Sequence, residues 1–482
     1  PTTMGTKSLP WLAESAEQID PVTWVVHLRK GVRWQNKPPV NGREFTANDI
    51  KYHFDRLLAI GSGFTTKSPY AMLVAFLNVE SLEVRDKYTI VWKFKKEALG
   101  NRDAIFGMGQ SVHGYVAPKE VVDQWGDGND WKRVVTTGAY ILTDYVTGAS
   151  ATYVKNPNYY LNDYRFPENR LPYADGLKQL IIPDVSTAIA ALRTGKIDIF
   201  YPIPWEQAEM LKRENPEFQQ YYIFDSGGAI NFRCDKAPWT NIKVRIACQK
   251  AMNLKSLAKD FWGGYPDGNP MGCMGPYAKG FVVPYEEWPQ ELKDKFAYDP
   301  EAARKLLAEA GYPNGFKTTI TVATTANLDL LQVVKAYLLD IGVDMAIETM
   351  DPASTTAWLR ENKDVMNFGG TTGVNWPWIH AFARDYTPNP SNYCNNKDLA
   401  FNALYDAAGA ALSPEELRRI SREMYLYDLD HYWRIYLQPA PMFCVYQPWL
   451  KGISGENLHS DFLRTYVIHW WIDQDMKKAM GQ

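Results

Sequence analysis

The sequence predicts a protein of mixed α/β class that contains more than one domain. The chain has 482 residues, more than one compact core usually holds. Two helical patterns end at a glycine, Gly195 and Gly342, and each passes directly into an extended run, which is typical of mixed α/β domains. The sequence contains no internal repeat and no low-complexity linker, so we expect the domains to share several chain crossings.

The first predicted elements are two strands with a helix between them. Residues 23–28 and 88–94 are short runs rich in β-branched and aromatic residues, as expected of half-buried strands. Thr46 stands three residues before Asp49, and this spacing predicts a capping box at the start of a helix. We expect that helix to continue at least to Leu57.

Two helix–strand units follow in the middle of the chain. In the first, Gly195 ends the helix and residues 197–201 form the strand. In the second, Gly342 ends the helix and residues 343–347 alternate as a strand. The apolar faces of the two helices consist of Ala188, Ile189 and Leu192 in the first unit and of Leu330, Val334, Leu338 and Ile341 in the second.

Two more helices are indicated by their caps. Asp299 precedes Pro300, a proline suited to the first helical turn, and Gly311 stands where that helix should end. Ser413 and Glu416 have the spacing of a second capping box. Both helices belong to the same α/β pattern as the units before them.

Composition excludes several classes of partner. A net charge of -3 argues against nucleic acid and against a polybasic membrane surface. The longest stretch without charged side chains, residues 365–383, contains Asn, Thr, Gly and Pro, so it does not predict a membrane span. No zinc-binding spacing of Cys or His occurs, and we expect neither a metal nor a cofactor. The five cysteines leave room for one disulfide, whose partners the spacing does not assign.

The sequence does not indicate an enzyme. Glycoside hydrolysis needs two carboxylates at a defined separation, and the 55 Asp and Glu residues are spread evenly without a distinct local pair. Neither a G-x-S-x-G elbow nor a Walker loop is present. A secreted glycoside hydrolase therefore remains only a third alternative behind the two receptor hypotheses below.

Blocks of sequence in a fixed order carry a resemblance to a known family. They are 12–15, 24–34, 45–50, 137–140, 155–160, 190–198, 231–232, 238–239, 243–247, 306–312 and 314–316. Together these blocks resemble the family 5 extracellular solute-binding proteins. That family includes the oligopeptide-, dipeptide-, nickel- and oligosaccharide-binding receptors of bacterial and archaeal ABC importers.

The resemblance implies a bilobed periplasmic-binding-protein-like fold of type II, with an additional third domain. Residues 1–136 would form the extra domain, residues 137–232 with 447–482 the first ligand lobe, and residues 233–446 the second. The implied function is a monomeric receptor that closes two lobes around a small polar ligand and delivers it to ABC permease subunits. Its implied location is the periplasm or the cell surface, either lipid-anchored or secreted.

One glycine-rich segment is the first candidate for ligand binding. Glycines let the backbone approach a ligand, Thr and Asn offer hydrogen bonds, and Trp offers flat stacking faces. The alternative is a glycine-rich loop whose tryptophans pack in the core. The candidate residues are Gly370, Thr371, Thr372, Asn375, Trp376 and Trp378.

Position 373 bears on the class of ligand. Peptide receptors of the resembled family carry an acidic residue in this segment that holds the free amine of the ligand, and the corresponding residue here is Gly373. A buried ammonium without a countercharge is costly, so we expect a neutral ligand, with an oligosaccharide favoured. The alternative is an oligopeptide whose amine is held by another acid, such as Asp385 or Asp351.

A second wall of the cleft is predicted after the strand of the first helix–strand unit. Ligands bind beyond the carboxyl ends of strands in α/β sheets, which favours Tyr201 and Trp205 as stacking groups and Asn231 as a hydrogen-bonding group. Ordinary core packing is the alternative for all three. Residues 262–265 are a candidate third wall, and residues 469–471 are expected in the core of the first lobe.

Overall fold

A computed structural model confirms the predicted bilobed α/β fold with a third domain. The structure describes residues 10–61, 63–68, 78–101, 105, 115–126, 130–224, 228–275, 278–370, 382–387, 389, 392–455 and 466–481. Within these residues the strands form five sheets, one in the N-terminal part and the others in the two lobes. The domain ranges themselves remain our proposal.

The N-terminal part is built on a four-stranded antiparallel sheet in the order β1-β2-β4-β3. The helix Ala47–Leu58 packs against it, and both predicted strands and the predicted helix are confirmed. The backbone N–H of Thr46 donates to Asp49 Oδ2 at 2.8 Å, as in a capping box. The strands are β1 (Ala13–Asp20), β2 (Thr23–Leu28), β3 (Val79–Asp86) and β4 (Thr89–Phe94).

The first lobe contains two three-stranded sheets, ordered β5-β6-β7 and β8-β15-β9. In the second sheet β15 lies between β8 and β9 and is antiparallel to both. The helices Val185–Arg193 and Trp205–Glu214 contribute to the same apolar core. The strands are β5 (Tyr140–Val146), β6 (Ser150–Lys155), β7 (Gly176–Leu180), β8 (Ile199–Ile203), β9 (Gln219–Phe224) and β15 (Pro441–Tyr446).

The second lobe is built on a five-stranded mixed sheet in the order β12-β11-β13-β10-β14. The strands are β10 (Gly228–Phe232), β11 (Phe316–Ala323), β12 (Val343–Met350), β13 (Met366–Gly370) and β14 (Arg434–Tyr436). One core contains helices Ile242–Lys250, Pro300–Glu309 and Leu328–Asp340. A second core contains helices Gln290–Phe296, Leu399–Gly409 and Pro414–His431. The sheet therefore carries helices from two separate apolar clusters.

The predicted helix ends are confirmed. Gly195 has a φ of 67° and Gly342 a φ of 89°, left-handed values that favour glycine. Asp299 Oδ1 accepts from the backbone N–H of Ala302 at 2.9 Å, and Ser413 Oγ accepts from that of Glu416 at 3.1 Å. These local signals set the helix limits.

The chain crosses between the two lobes at two places. β9 ends at Phe224 in the first lobe, and β10 begins at Gly228 in the second. Later β14 ends at Tyr436, and β15 begins at Pro441 back in the first lobe. Sheet pairing groups β10 with the second lobe and β15 with the first, whereas the proposed ranges place residues 228–232 in the first lobe and residues 441–446 in the second.

The remaining elements are short helices and one two-stranded pair. The expectation of core packing for residues 469–471 holds for Trp470, which is buried, whereas Trp471 is 44% exposed. No disulfide joins any of the five cysteines, all of which lie in the described part of the chain. No helix in the described part of the chain is long and apolar enough to span a membrane. The remaining α-helices are Lys119–Trp125, Leu254–Ser256, Pro352–Arg360 and Gln474–Ala479, and the remaining strands are the pair β16 (Leu450–Lys451) and β17 (Trp471–Ile472). Leu257–Phe261 is a π-helix, and Trp131–Arg133, Tyr285–Glu287 and Val467–His469 are short 3-10 helices.

Candidate functional site

Most of the first candidate segment lies outside the described residues. This holds for Thr371, Thr372, Asn375, Trp376 and Trp378, whose binding role remains a prediction, and also for Gly373. Gly370 is the last residue of β13 and pairs with Gly228 at the start of β10. β13 therefore ends beside the start of β10, where the chain has just crossed into the second lobe. The candidate ligand-binding segment follows directly after Gly370 in the sequence.

Small residues are required at this end of β10 and β13. A Cβ atom on Gly228 would stand 2.8 Å from the Phe368 ring, and one on Gly369 would stand 3.2 Å from Asn231 Nδ2. Real Cβ atoms essentially never approach as closely as the first distance. The glycines thus serve strand packing beside the crossing, in addition to any approach of a ligand.

Asn231 takes part in a polar network inside the second lobe. Its Nδ2 donates to Asn367 Oδ1 at 2.8 Å, and its Oδ1 accepts from Cys394 Sγ at 3.6 Å. Asn367 Nδ2 in turn donates to the buried carboxylate of Asp364 at 2.9 Å. Both polar atoms of Asn231 therefore already have partners within the protein.

Asp385 belongs to a buried charge cluster. Its Oδ1 accepts a hydrogen bond from Arg434 Nη2, and Arg434 Nη1 lies 3.7 Å from Asp428 Oδ1. Tyr436 OH donates to Asp428 Oδ1 at 2.6 Å. Burial raises the pKa of Asp385 to about 7 against the opposing effect of Arg434. The carboxylate that was a candidate for a ligand amine is thus paired with an arginine.

Asp351, the other candidate acid, caps a helix at the surface. Its Oδ1 accepts from the backbone N–H groups of Ala353 at 3.1 Å and Ser354 at 3.0 Å. The hydrogen bonds from Ser354 lower the pKa of Asp351, because they favour the charged form. Its position is explained by capping. In each candidate acid Oδ1 is therefore engaged within the protein, whereas the buried Oδ2 of Asp385 has no hydrogen-bond partner among the described residues.

Tyr201 and Trp205 lie in the first lobe where β8 meets the helix that follows it. Tyr201 is half-buried in β8, and its hydroxyl lies 3.8 Å from Met442 Sδ. Trp205 is the first residue of its helix, and its indole Nε1 donates to the backbone oxygen of Phe261 at 2.9 Å. Because Phe261 belongs to the second lobe, this bond crosses between the lobes.

Residues 261–265 of the second lobe lie against the first lobe. Tyr265 OH donates to Glu209 Oε1 at 2.5 Å, and its ring centroid lies 4.8 Å from that of Phe443 and 5.0 Å from that of Tyr222. Burial, followed by the bond to Glu209, raises the pKa of Tyr265. The predicted second and third walls are therefore in contact with each other.

Four residues of this contact, Glu209, Tyr222, Phe261 and Phe443, were not predicted from the sequence. Glu209 follows Trp205 by four residues, so helical spacing could have placed both on one face. Tyr222 and Phe443 carry no comparable local signal, since only the pairing of β9 with β15 makes them neighbours. Among the described residues, no group of three His, Cys, Asp or Glu side chains is placed to hold a metal ion.

Comparison with known families defines the class of this protein. Residues 7–391 match the model of the bacterial extracellular solute-binding proteins, family 5 Middle. The chain belongs to this family. The resemblance seen in the sequence is thereby confirmed.

Individual relatives share sequence over most of the chain. Heme-binding protein A of Haemophilus influenzae is 27% identical over 441 residues, covering 86% of this chain and 76% of the relative. Glutathione-binding protein GsiB of Salmonella typhimurium is 27% identical over 424 residues, covering 84% and 75%. The periplasmic binding protein DppA from Helicobacter pylori, solved in complex with peptide STSA, superposes with a TM-score of 0.81 at 22% identity. That superposition covers 96% of this chain and 89% of DppA, and it supports the fold.

Proposed function

We propose that this protein is the substrate-binding component of an ABC importer and that its ligand is a short peptide or a small peptide derivative. The observation that carries the proposal is the family match over residues 7–391, joined to a bilobed fold. Hinged lobes of this kind close around a ligand and present a closed surface to a partner. Delivery to permease subunits and an extracytoplasmic location are part of the proposal.

The peptide class replaces the oligosaccharide that the sequence favoured. DppA was solved with a peptide, and the relatives with matching sequence are named for glutathione and heme. None of these three proteins is named for a sugar. The peptide alternative therefore has support from relatives, which the oligosaccharide prediction lacks.

The recognition of such a ligand should not depend on its free amine. Gly373 replaces the acid that the family resemblance implies, and no Asp or Glu occurs between Asp364 and Asp385. Asp385 is paired with Arg434, and Asp351 caps a helix. We therefore infer that amide hydrogen bonds and apolar contacts supply most of the affinity, with Trp376 and Trp378 as the proposed stacking groups.

A ligand screen tests this function. Purified protein is heated with di- to nonapeptides, glutathione, heme and a panel of oligosaccharides, and the melting temperature is recorded. A ligand at 100 times its Kd stabilises the folded state by about 2.7 kcal/mol, so we expect peptides or glutathione to raise the melting temperature clearly. Mass spectrometry should recover the ligand unchanged. A rise with oligosaccharides alone, or cleavage of the ligand, contradicts the proposal.

N-acetylation of the best peptide provides the second arm of the screen. A buried hydrogen bond to a charged group contributes about 1.5–3 kcal/mol, or roughly 10- to 150-fold in Kd. We expect less than tenfold loss on acetylation, because Gly373 stands where the acid was expected and Asp385 and Asp351 already accept hydrogen bonds within the protein. A larger loss would show that a carboxylate holds the amine after all.

A further inference from the structure

Among the described residues, segment 261–265 of the second lobe contacts the first lobe. A helical turn at Leu254–Ser256 continues as the π-helix Leu257–Phe261. Leu254 and Leu257 are buried in the core of the second lobe and anchor this stretch. Gly263 and Gly264 follow with φ values of 63° and 81°, so the chain turns sharply there. The segment is thus fixed in one lobe and directed at the other.

The first lobe receives this segment on one helix. Trp205 and Glu209 lie one turn apart on the helix Trp205–Glu214, and each makes one hydrogen bond with the segment. The Trp205 indole donates to the Phe261 oxygen at 2.9 Å, and Glu209 accepts from the Tyr265 hydroxyl at 2.5 Å. Two side chains on a single rigid helix therefore hold both ends of the segment.

Between these two hydrogen bonds the surfaces fit closely. A Cβ atom added to Gly263 would stand 2.7 Å from Cε3 of the Trp205 ring, whereas one added to Gly264 would meet no atom within 4 Å. Gly263 therefore lets the backbone lie against the indole face. Packing this close is possible only when the two lobes hold one particular position relative to each other.

We propose that Trp205, Glu209, Phe261, Gly263 and Tyr265 form a latch that holds the two lobes together in the absence of ligand. Contacts that exist only when the lobes are together shift a hinge equilibrium toward that state. Loss of one hydrogen bond of about 1 kcal/mol should change the ratio of latched to open protein about fivefold. The proposal rests on the two-lobed receptor function but not on the class of ligand.

Two alanine variants test the latch with a matched control. Both Gly263→Ala and Gly264→Ala place a Cβ at a left-handed position, but only Gly263→Ala meets the indole. Small-angle X-ray scattering of ligand-free protein should show a larger radius of gyration for Gly263→Ala and the wild-type value for Gly264→Ala. Equal values for all three proteins, or equal expansion of both variants, overturn the proposal.

Two tyrosine variants, which change the protein less, test the latch if Gly263→Ala does not fold. Tyr265→Phe removes the hydroxyl that donates to Glu209, and Tyr298→Phe makes the same change at an exposed site of the second lobe. Only Tyr265→Phe should expand the ligand-free protein, in line with an about fivefold loss of the latched state. An unchanged radius for Tyr265→Phe overturns the latch. Because no ligand is present, this result is independent of the ligand screen.

Discussion

At the scale of single residues, burial decides which side chains remain available for a ligand. Asp385 is fully buried and is held by Arg434, while Asn231 is engaged by Asn367 and Cys394. An unpaired buried charge costs several kcal/mol, so internal pairing of Asp385 is the expected arrangement. Residue type alone does not distinguish an internal partner from a ligand contact.

The raised pKa of Asp385 leads to a prediction about pH. Its pKa is about 7 in the folded protein, above the value near 3.9 of an unfolded chain. The folded state therefore retains a proton that the unfolded state loses, and this stabilising contribution declines as pH rises from about 4 to 7. We expect Asp385→Asn to reduce the loss of unfolding free energy between pH 5 and pH 7, measured by urea unfolding.

Asp351→Asn is the matched control for this experiment. The pKa of Asp351 is lowered, so its stabilising contribution disappears as pH falls below the normal carboxyl range. The control should leave the slope between pH 5 and pH 7 unchanged. An identical slope in wild type and Asp385→Asn would show that Asp385 does not titrate in this window.

At the scale of elements, short-range capping sets the limits of helices in both lobes. Asp299 and Ser413 each accept a hydrogen bond from a backbone N–H in the first turn. Gly195 and Gly342 end helices in left-handed conformations that other residues rarely adopt. These features depend on neighbours within a few residues, which is why the sequence predicted them.

Asp299→Ala tests the contribution of a cap to stability. Loss of an N-cap side chain costs about 1 kcal/mol, and we expect that decrease in the free energy of unfolding from chemical denaturation. Asp340→Ala is the control, since Asp340 is the last residue of the helix Leu328–Asp340. A negative charge at a helix C-terminus is unfavourable, so this control should be neutral or slightly stabilising. Equal losses in both variants would argue against a specific capping effect.

At the scale of the whole molecule, the arrangement of the lobes in the ligand-free protein determines how much ligand binding changes the radius of gyration. The chain passes between the lobes between β9 and β10 and again between β14 and β15, and we propose that these two crossings form the hinge. If the latch holds the ligand-free lobes together, ligand binding adds little compaction to the wild-type protein. The latch and the ligand then favour the same arrangement of the lobes.

The latch predicts that ligand binding changes the radius of gyration of Gly263→Ala but not that of the wild-type protein. Saturation with the peptide that gives the largest rise in melting temperature should leave the radius of gyration of wild type nearly unchanged. The same peptide should shrink Gly263→Ala, because the ligand then replaces the lost contact. Gly264→Ala should behave as wild type. A large ligand-induced compaction of the wild-type protein would contradict this account.

The sequence by itself determined the class of fold and many of the element limits. Thr46, Gly195, Asp299 and Gly342 act on their own segments, and their caps and turns require no distant partner. Ordered blocks of sequence also identified the family, which the family model over residues 7–391 confirms. Local chemistry and family pattern were sufficient for these conclusions.

Tertiary structure decided which candidate side chains meet. Asn231 and Asn367 become neighbours only because β10 pairs with β13, and Trp205 reaches Phe261 only because the lobes come together. Asp385 likewise pairs with Arg434, which is distant in sequence. Such contacts depend on the packing of whole sheets and lobes, and no spacing rule within a segment encodes them.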